Sequence, residues 1–144
     1  MKGFVFLLLM ARIAFAASPE GTWRVMDDRG GEAEALVRIA VKKGVFEGKI
    51  IKIFPRPGVD QSAICERCPG NLKDRPVLGM TILTGMTREG DGYSGGKILD
   101  PDEGDVYRCS MKLSEDGKKL LVRGYLFMPL FGRSQTWVRE EGPP

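Results

Sequence analysis

Apolar and polar positions alternate along much of this chain. In "LVRIAVK", Val37, Ile39 and Val41 fall on one side and Arg38, Ala40 and Lys42 on the other, a period of two that predicts a strand with one buried face. "DVYRCSMKL" repeats the pattern, with Tyr107, Cys109, Met111 and Leu113 against Arg108, Ser110 and Lys112. "WRVM" from Trp23, "GVFEGKIIKIF", the more continuous apolar "VLGMTIL" at 77–83, "GYSGGKIL", "KKLLVRGYL" and "RSQTWVR" complete a set of about eight. Phe46, Ile50, Ile82, Leu99, Met111, Leu120, Val122 and Leu126 are the simplest core. Helical periodicity is nearly absent.

Turn residues separate the segments at 28–31, Lys43-Gly44, 89–92, 101–104 and 114–117. Short strands joined by short turns predict an all-β antiparallel up-and-down meander, which removes its exposed edges by closing into a small barrel. One connection breaks the rhythm. Residues 55–76, "PRPGVDQSAICERCPGNLKDRP", form a long Pro- and Cys-bearing loop, and such a loop in a compact domain is usually functional or covers something.

The start of the chain reads differently. Lys2, the apolar "FVFLLLMA" and the small residues of "AFA" at 14–16 have the layout of a secretory signal at 1–16, cut after Ala16. The apolar run is interrupted by Arg12 and falls short of the ~20 residues a membrane span needs. No Cys stands at the cut to carry a lipid, so no stable membrane anchor is expected. Residues 17–144 then form one domain, periplasmic or secreted. Of 22 Lys and Arg the signal holds Lys2 and Arg12, which leaves 20 against 19 acidic residues. That balance gives no electrostatic case for nucleic acid.

There is no His, which removes His-assisted triads and the common catalytic zinc sites. The chain is expected not to be an enzyme and to need no cofactor. "DPDEG" at 100–104 places acids at Asp100, Asp102 and Glu103, with Asp105 following. The spacing fails the calcium-loop template, because Gly104 stands where position 5 needs an oxygen donor and Met111 where position 12 needs Glu. Pro101 and Gly104 fit a turn between strands instead.

Three cysteines remain: Cys65, Cys68 and Cys109. An exported chain meets oxidising conditions, so a disulfide is expected, with one thiol left over. A Cys65–Cys68 ring gives about 2 kcal/mol on the chain-entropy model. A bridge from this loop to Cys109 closes a far longer ring and gives about 4 kcal/mol. The longer bridge, from either Cys65 or Cys68, is therefore the expected one. Thiol-redox or metal chemistry on the three cysteines is the alternative use.

Two short motifs resemble lipocalin-type barrels. "EGTWRV" supplies Gly21-x-Trp23 on the first strand, and "RSQTWVR" places Arg133, Gln135, Trp137 and Arg139 on the last. In that architecture a basic side chain near the C-terminus packs over the Trp, so Gly21, Trp23 and Arg139 are the candidates for barrel closure. The segments "PEGTW", "FEGKI", "CERCPG", "GMTIL", "GDGYSGGKILDP", "VYRC", "LLVRGYL" and "GRSQTW", across 19–139, resemble an exported bacterial family catalogued as domain of unknown function 2147. The resemblance implies a lipocalin-like barrel in the cell envelope and no activity. "YLFMPLFGR" is more hydrophobic than its counterpart in that family.

Arg133, Gln135 and Trp137 share a face of the last strand. If Trp137 points inward they form an anion-recognising end of a ligand cavity; otherwise they belong to closure, with Arg133 or Arg139 on Trp23 or on strand-end carbonyls. Gly48, Gly79, Gly95, Gly96 and Gly124 leave room for a ligand or permit the bends of a small barrel. The expected function is non-catalytic binding of a small, partly apolar molecule. The alternative is an envelope interaction module with a filled barrel.

Overall fold

The computed structural model describes residues 17–28, 31–128, 130 and 132–142. The signal at 1–16 lies outside them. Eight strands follow one another: β1 (Gly21–Met26), β2 (Ala33–Lys42), β3 (Val45–Ile53), β4 (Thr81–Glu89), β5 (Gly92–Asp100), β6 (Asp105–Leu113), β7 (Lys119–Tyr125) and β8 (Gly132–Arg139). Each pairs antiparallel with the next, and β8 returns to β1, so the sheet is a closed up-and-down barrel. The β2–β3 hairpin turns on two residues, Lys43 and Gly44, both at positive φ (52° and 77°). That twist matches the twist of the flanking strands.

The barrel has two unlike ends. The turns after β2, β4 and β6 share one end with the start of β1 and the finish of β8. At the other end lie the connections after β1, β3, β5 and β7, including the long segment 54–80. Between them, Trp23, Val37, Ile39, Leu83, Met86, Cys109, Met111, Leu120, Val122 and Trp137 make one buried cluster. Cys65, Cys68, Val77 and Met80 of the long segment join it.

Three expectations shift. "VLGMTIL" is not one strand: β4 starts only at Thr81, because Gly79 takes a positive φ of 86° and Leu78 faces solvent. Val77 and Met80 on either side are still buried, and Gly79 N–H and Met80 C=O bond to Ile50 at 2.8 and 3.0 Å. Val41 is exposed, since β2 there has run past the core to its turn. Leu126 is exposed because β7 ends at Tyr125.

The interior glycines carry packing. A Cβ on Gly48 would stand 3.0 Å from Leu83 Cβ and 3.1 Å from Val37 Cγ1. One on Gly96 would meet the Thr84 carbonyl oxygen at 2.2 Å and Met86 Sδ at 2.4 Å. The space in front of both is already taken by neighbouring side chains and backbone.

Closure is made by Arg139. Its guanidinium carbon lies 4.3 Å from the centre of the Trp23 ring. Its three nitrogens donate to the carbonyls of Gly117 (2.8 Å), Glu20 (2.9 Å) and Ser18 (2.7 Å). Trp23 is fully buried and donates its indole N–H to the Pro19 carbonyl at 2.8 Å. Gly21 must be small, since a Cβ there would lie 2.7 Å from Arg139 Nη1. Trp23→Ala is expected to lower stability by about 3–5 kcal/mol, the range for large buried aromatics. A loss below ~1 kcal/mol in urea melts would show that the ring is dispensable to closure.

Candidate functional site

The end of the barrel carrying segment 54–80 gathers the polar chemistry. Segment 54–80 docks on the β5–β6 turn: Cys65 Sγ lies 3.1 Å from the Pro101 carbonyl oxygen, and Arg67 pairs with Glu103 at 3.1 Å. Gly104 permits the approach, because a Cβ there would sit 2.1 Å from the Arg67 carbonyl oxygen. The turn is held from within by Asp100. Its carboxylate accepts from Asp102 N–H (3.0 Å) and Glu103 N–H (3.4 Å), and its carbonyl accepts from Gly104 N–H (2.7 Å). The acidic run is a turn between strands, as its Pro and Gly suggest.

Beside it lies an ionic cluster that the strand pattern does not reveal. Arg56, two residues beyond the Phe54 that follows β3, approaches Glu34 at 3.5 Å and Asp27 at 3.9 Å. Its Nε is buried without a hydrogen-bond partner among the described residues. Burial pushes the Glu34 carboxyl above its ordinary value; Arg56 opposes the shift, and Asp27, Asp102 and Asp28 add to it. Desolvation thus outweighs the one favourable charge.

Arg133 stands at the same end. It is mostly exposed and donates through Nε to Asp28 at 2.9 Å, with Nη2 on the same oxygen. Hydrogen bonding to Asp28 and its charge hold the guanidinium pKa above the ordinary value. Trp137 is buried, and its indole N–H donates to Gln135 Oε1 at 3.3 Å. The three residues share a face, as their spacing predicts, but not a site. Arg133 is on the rim, tied to the β1–β2 connection, and Gln135 is half-buried between it and the core. Arg139, not Arg133, covers Trp23.

The cysteine expectation needs correction. Cys65 and Cys68 are bridged to each other, with Cα atoms 5.4 Å apart, and Cys109 is free and buried. Chain entropy favours the long ring only where the partners can meet. Cys109 sits mid-strand, opposite Gly96 and Gly124, while the loop reaches the barrel at Pro101 on its rim. Burial pushes the Cys109 thiol up to about 12, so almost no thiolate forms at neutral pH.

Two open depressions mark the surface. One of about 460 Å³ surrounds Arg139 at the closure end, lined by Ser18, Glu20, Gly117 and Glu141. The other, about 580 Å³, lies along β5–β7 by Ser94, Ser110, Lys112, Arg123 and Tyr125. In the second, which Glu89 and Asp91 also line, the Ser94 hydroxyl donates to a Glu89 carboxylate oxygen at the surface.

A bacterial family described as "Uncharacterized protein conserved in bacteria (DUF2147)" matches residues 21–139, which is the whole barrel from the first residue of β1 to the last of β8. The chain belongs to DUF2147. Among solved structures this DUF2147 barrel is similar to one titled "Protein HP1028 from the human pathogen Helicobacter pylori belongs to the lipocalin family". The TM-score is 0.73 at 18% identity, over 88% of this chain and 85% of that one. Likeness at that identity speaks for the fold: this DUF2147 chain is a lipocalin-like barrel. Comparison with curated proteins gives no match.

Two measurements follow from this geometry. Non-reducing peptide mapping should link Cys65 to Cys68 and leave Cys109 as a thiol that iodoacetamide labels only after unfolding. A linked pair containing Cys109, or rapid labelling of the native protein, would contradict it. The second concerns Glu34. Its folded pKa is raised, so the native state holds its proton to higher pH than the unfolded chain does, and stability falls as pH rises from the ordinary value of 4.5 through the folded value. Glu34→Gln should therefore match the parent in Tm below pH 4.5 and exceed it at neutral pH. A variant less stable than the parent at neutral pH would mean the Arg56 pair outweighs desolvation.

Proposed function

We propose that this DUF2147 chain is an exported, non-catalytic envelope protein that works through its rim rather than by enclosing a ligand. The observation that carries this reading is the filled interior. Trp23, Val37, Leu83, Met86, Cys109 and Leu120 have no solvent exposure, and the positions in front of Gly48 and Gly96 are occupied by their neighbours. A lipocalin-like fold does not by itself specify a cavity. Arg133, the candidate anion recogniser, spends its charge on Asp28 at the rim.

A second reading, binding of a small and partly apolar molecule inside the barrel, draws on segment 54–80. Cys65, Cys68, Val77 and Met80 are buried core residues that do not belong to a barrel strand, and Met80, Met86 and Met111 are adaptable side chains. Movement of that segment would expose apolar wall. The Lys2, apolar run and "AFA" layout supports export.

Native mass spectrometry of protein recovered from the envelope fraction tests the proposal. The expected mass begins at Ala17, includes one disulfide and carries no small molecule. Titration with a lipophilic dye should give no saturable, one-to-one quenching of the buried Trp23 and Trp137. A co-purifying molecule, or such quenching, would overturn the filled-barrel reading in favour of the second. Retention of residues 1–16 would overturn export.

A further inference from the structure

Apolar surface is concentrated at one place outside the core. Beyond the end of β7, Leu126 and Met128 are exposed, Phe127 is 82% exposed and Leu130 is 76% exposed. Val106, at the start of the adjoining β6, is exposed as well. This is the tip of the β7–β8 hairpin, at the rim. Its strands end below it, at Tyr125 and Gly132, which are partners in the β7–β8 ladder.

The residues beneath the tip have a definite chemistry. Arg108 is the cross-strand partner of both Tyr125 on β7 and Lys97 on β5. Arg108 and Lys97 are exposed, and neither takes part in an ion pair among the described residues. Arg123 braces the tip from below, donating to the Leu130 carbonyl at 3.4 Å and to Ser134 Oγ at 2.8 Å. Of the acids at this end, Asp28 pairs with Arg133 and Glu103 with Arg67, Asp100 accepts from the turn's own N–H groups and Asp105 from the Tyr107 hydroxyl, while Asp102 makes no ion pair among the described residues.

We propose that this tip docks the barrel on a phospholipid bilayer, with Leu126, Phe127, Met128 and Leu130 in the outer acyl region, and Lys97 and Arg108 at the phosphates. Large apolar side chains above two exposed cations, Lys97 and Arg108, and Tyr125 match the layering of a bilayer surface, where the aromatic sits at headgroup level and basic groups meet phosphate. A protein partner would need to offer the tip a pocket, and the cations below would have no assigned role. The proposal rests on the rim reading above and names its partner.

The test is co-sedimentation of the chain from Ala17 onward with vesicles of phosphatidylcholine and phosphatidylglycerol. The parent should bind, and the double variant Phe127→Ser, Leu130→Ser should bind at least about tenfold more weakly, given the apolar area removed. Lys97→Gln with Arg108→Gln should weaken binding mainly to vesicles containing phosphatidylglycerol. Near-ultraviolet circular dichroism from the buried Trp23 and Trp137 reports that each variant is folded. Undiminished binding by the folded double variant overturns the proposal, as does a parent that stays in solution. A parent that forms dimers abolished by the double variant, without vesicle binding, overturns it in favour of a second copy of the chain. Failure on vesicles while the barrel still takes no dye sinks the membrane proposal alone and leaves the filled interior standing.

Discussion

Everything in this molecule depends on the last strand finding the first. The β1–β8 seam is short: three residue pairs are in register, against six for β1–β2 and seven for β7–β8. Backbone bonding there is correspondingly thin, and side chains carry the join. Arg139 covers the Trp23 ring and gathers three carbonyls, two from the stretch before β1 and one from the β6–β7 turn. On the outside, Arg24 of β1 pairs with Glu140 at 2.8 Å. Arginine suits the task because its planar fork reaches several acceptors at once and stacks on an indole, which an ammonium cannot do as well.

Closure with eight strands leaves an interior that side chains can fill or that can hold one small ligand. In this barrel two tryptophans and several methionines are buried in it. Glycine at 48 and 96 then reads as accommodation between crowded strands, not as vacancy. Polar chemistry is displaced to the rim. There burial raises the Glu34 pKa despite the opposing charge of Arg56.

Strand identity was legible in the sequence because a period of two and strong turn residues agree across the chain. The closure residues were legible too, since Gly21, Trp23 and Arg139 stand near the ends of a meander that must join. Depth along a strand was not. Alternation puts Arg133 and Trp137 on one face, but four residues of extended chain separate them by roughly 13 Å, so one is rim and the other core. The same blindness placed Val41 and Leu126 inside. The ionic cluster escaped because Asp27 after β1, Glu34 at the start of β2, Arg56 after β3 and Asp102 in the β5–β6 turn are brought together only by the closed barrel. "YLFMPLF" did carry a signal: so many consecutive apolar residues between two strands cannot all be buried by a hairpin tip.

The cysteine arrangement has a consequence for how the chain can be oxidised at all. The native Cys65–Cys68 ring is the pairing that requires no tertiary structure, since its partners are three residues apart. Every mispairing would have to draw Cys109 out to the loop, and with it the segment of β6 that holds Tyr107 and Met111 in register with β5. The strand register therefore acts as a proofreader. A chain with the wrong bridge cannot complete its sheet, while a chain with the right one folds its odd thiol out of reach of any oxidant.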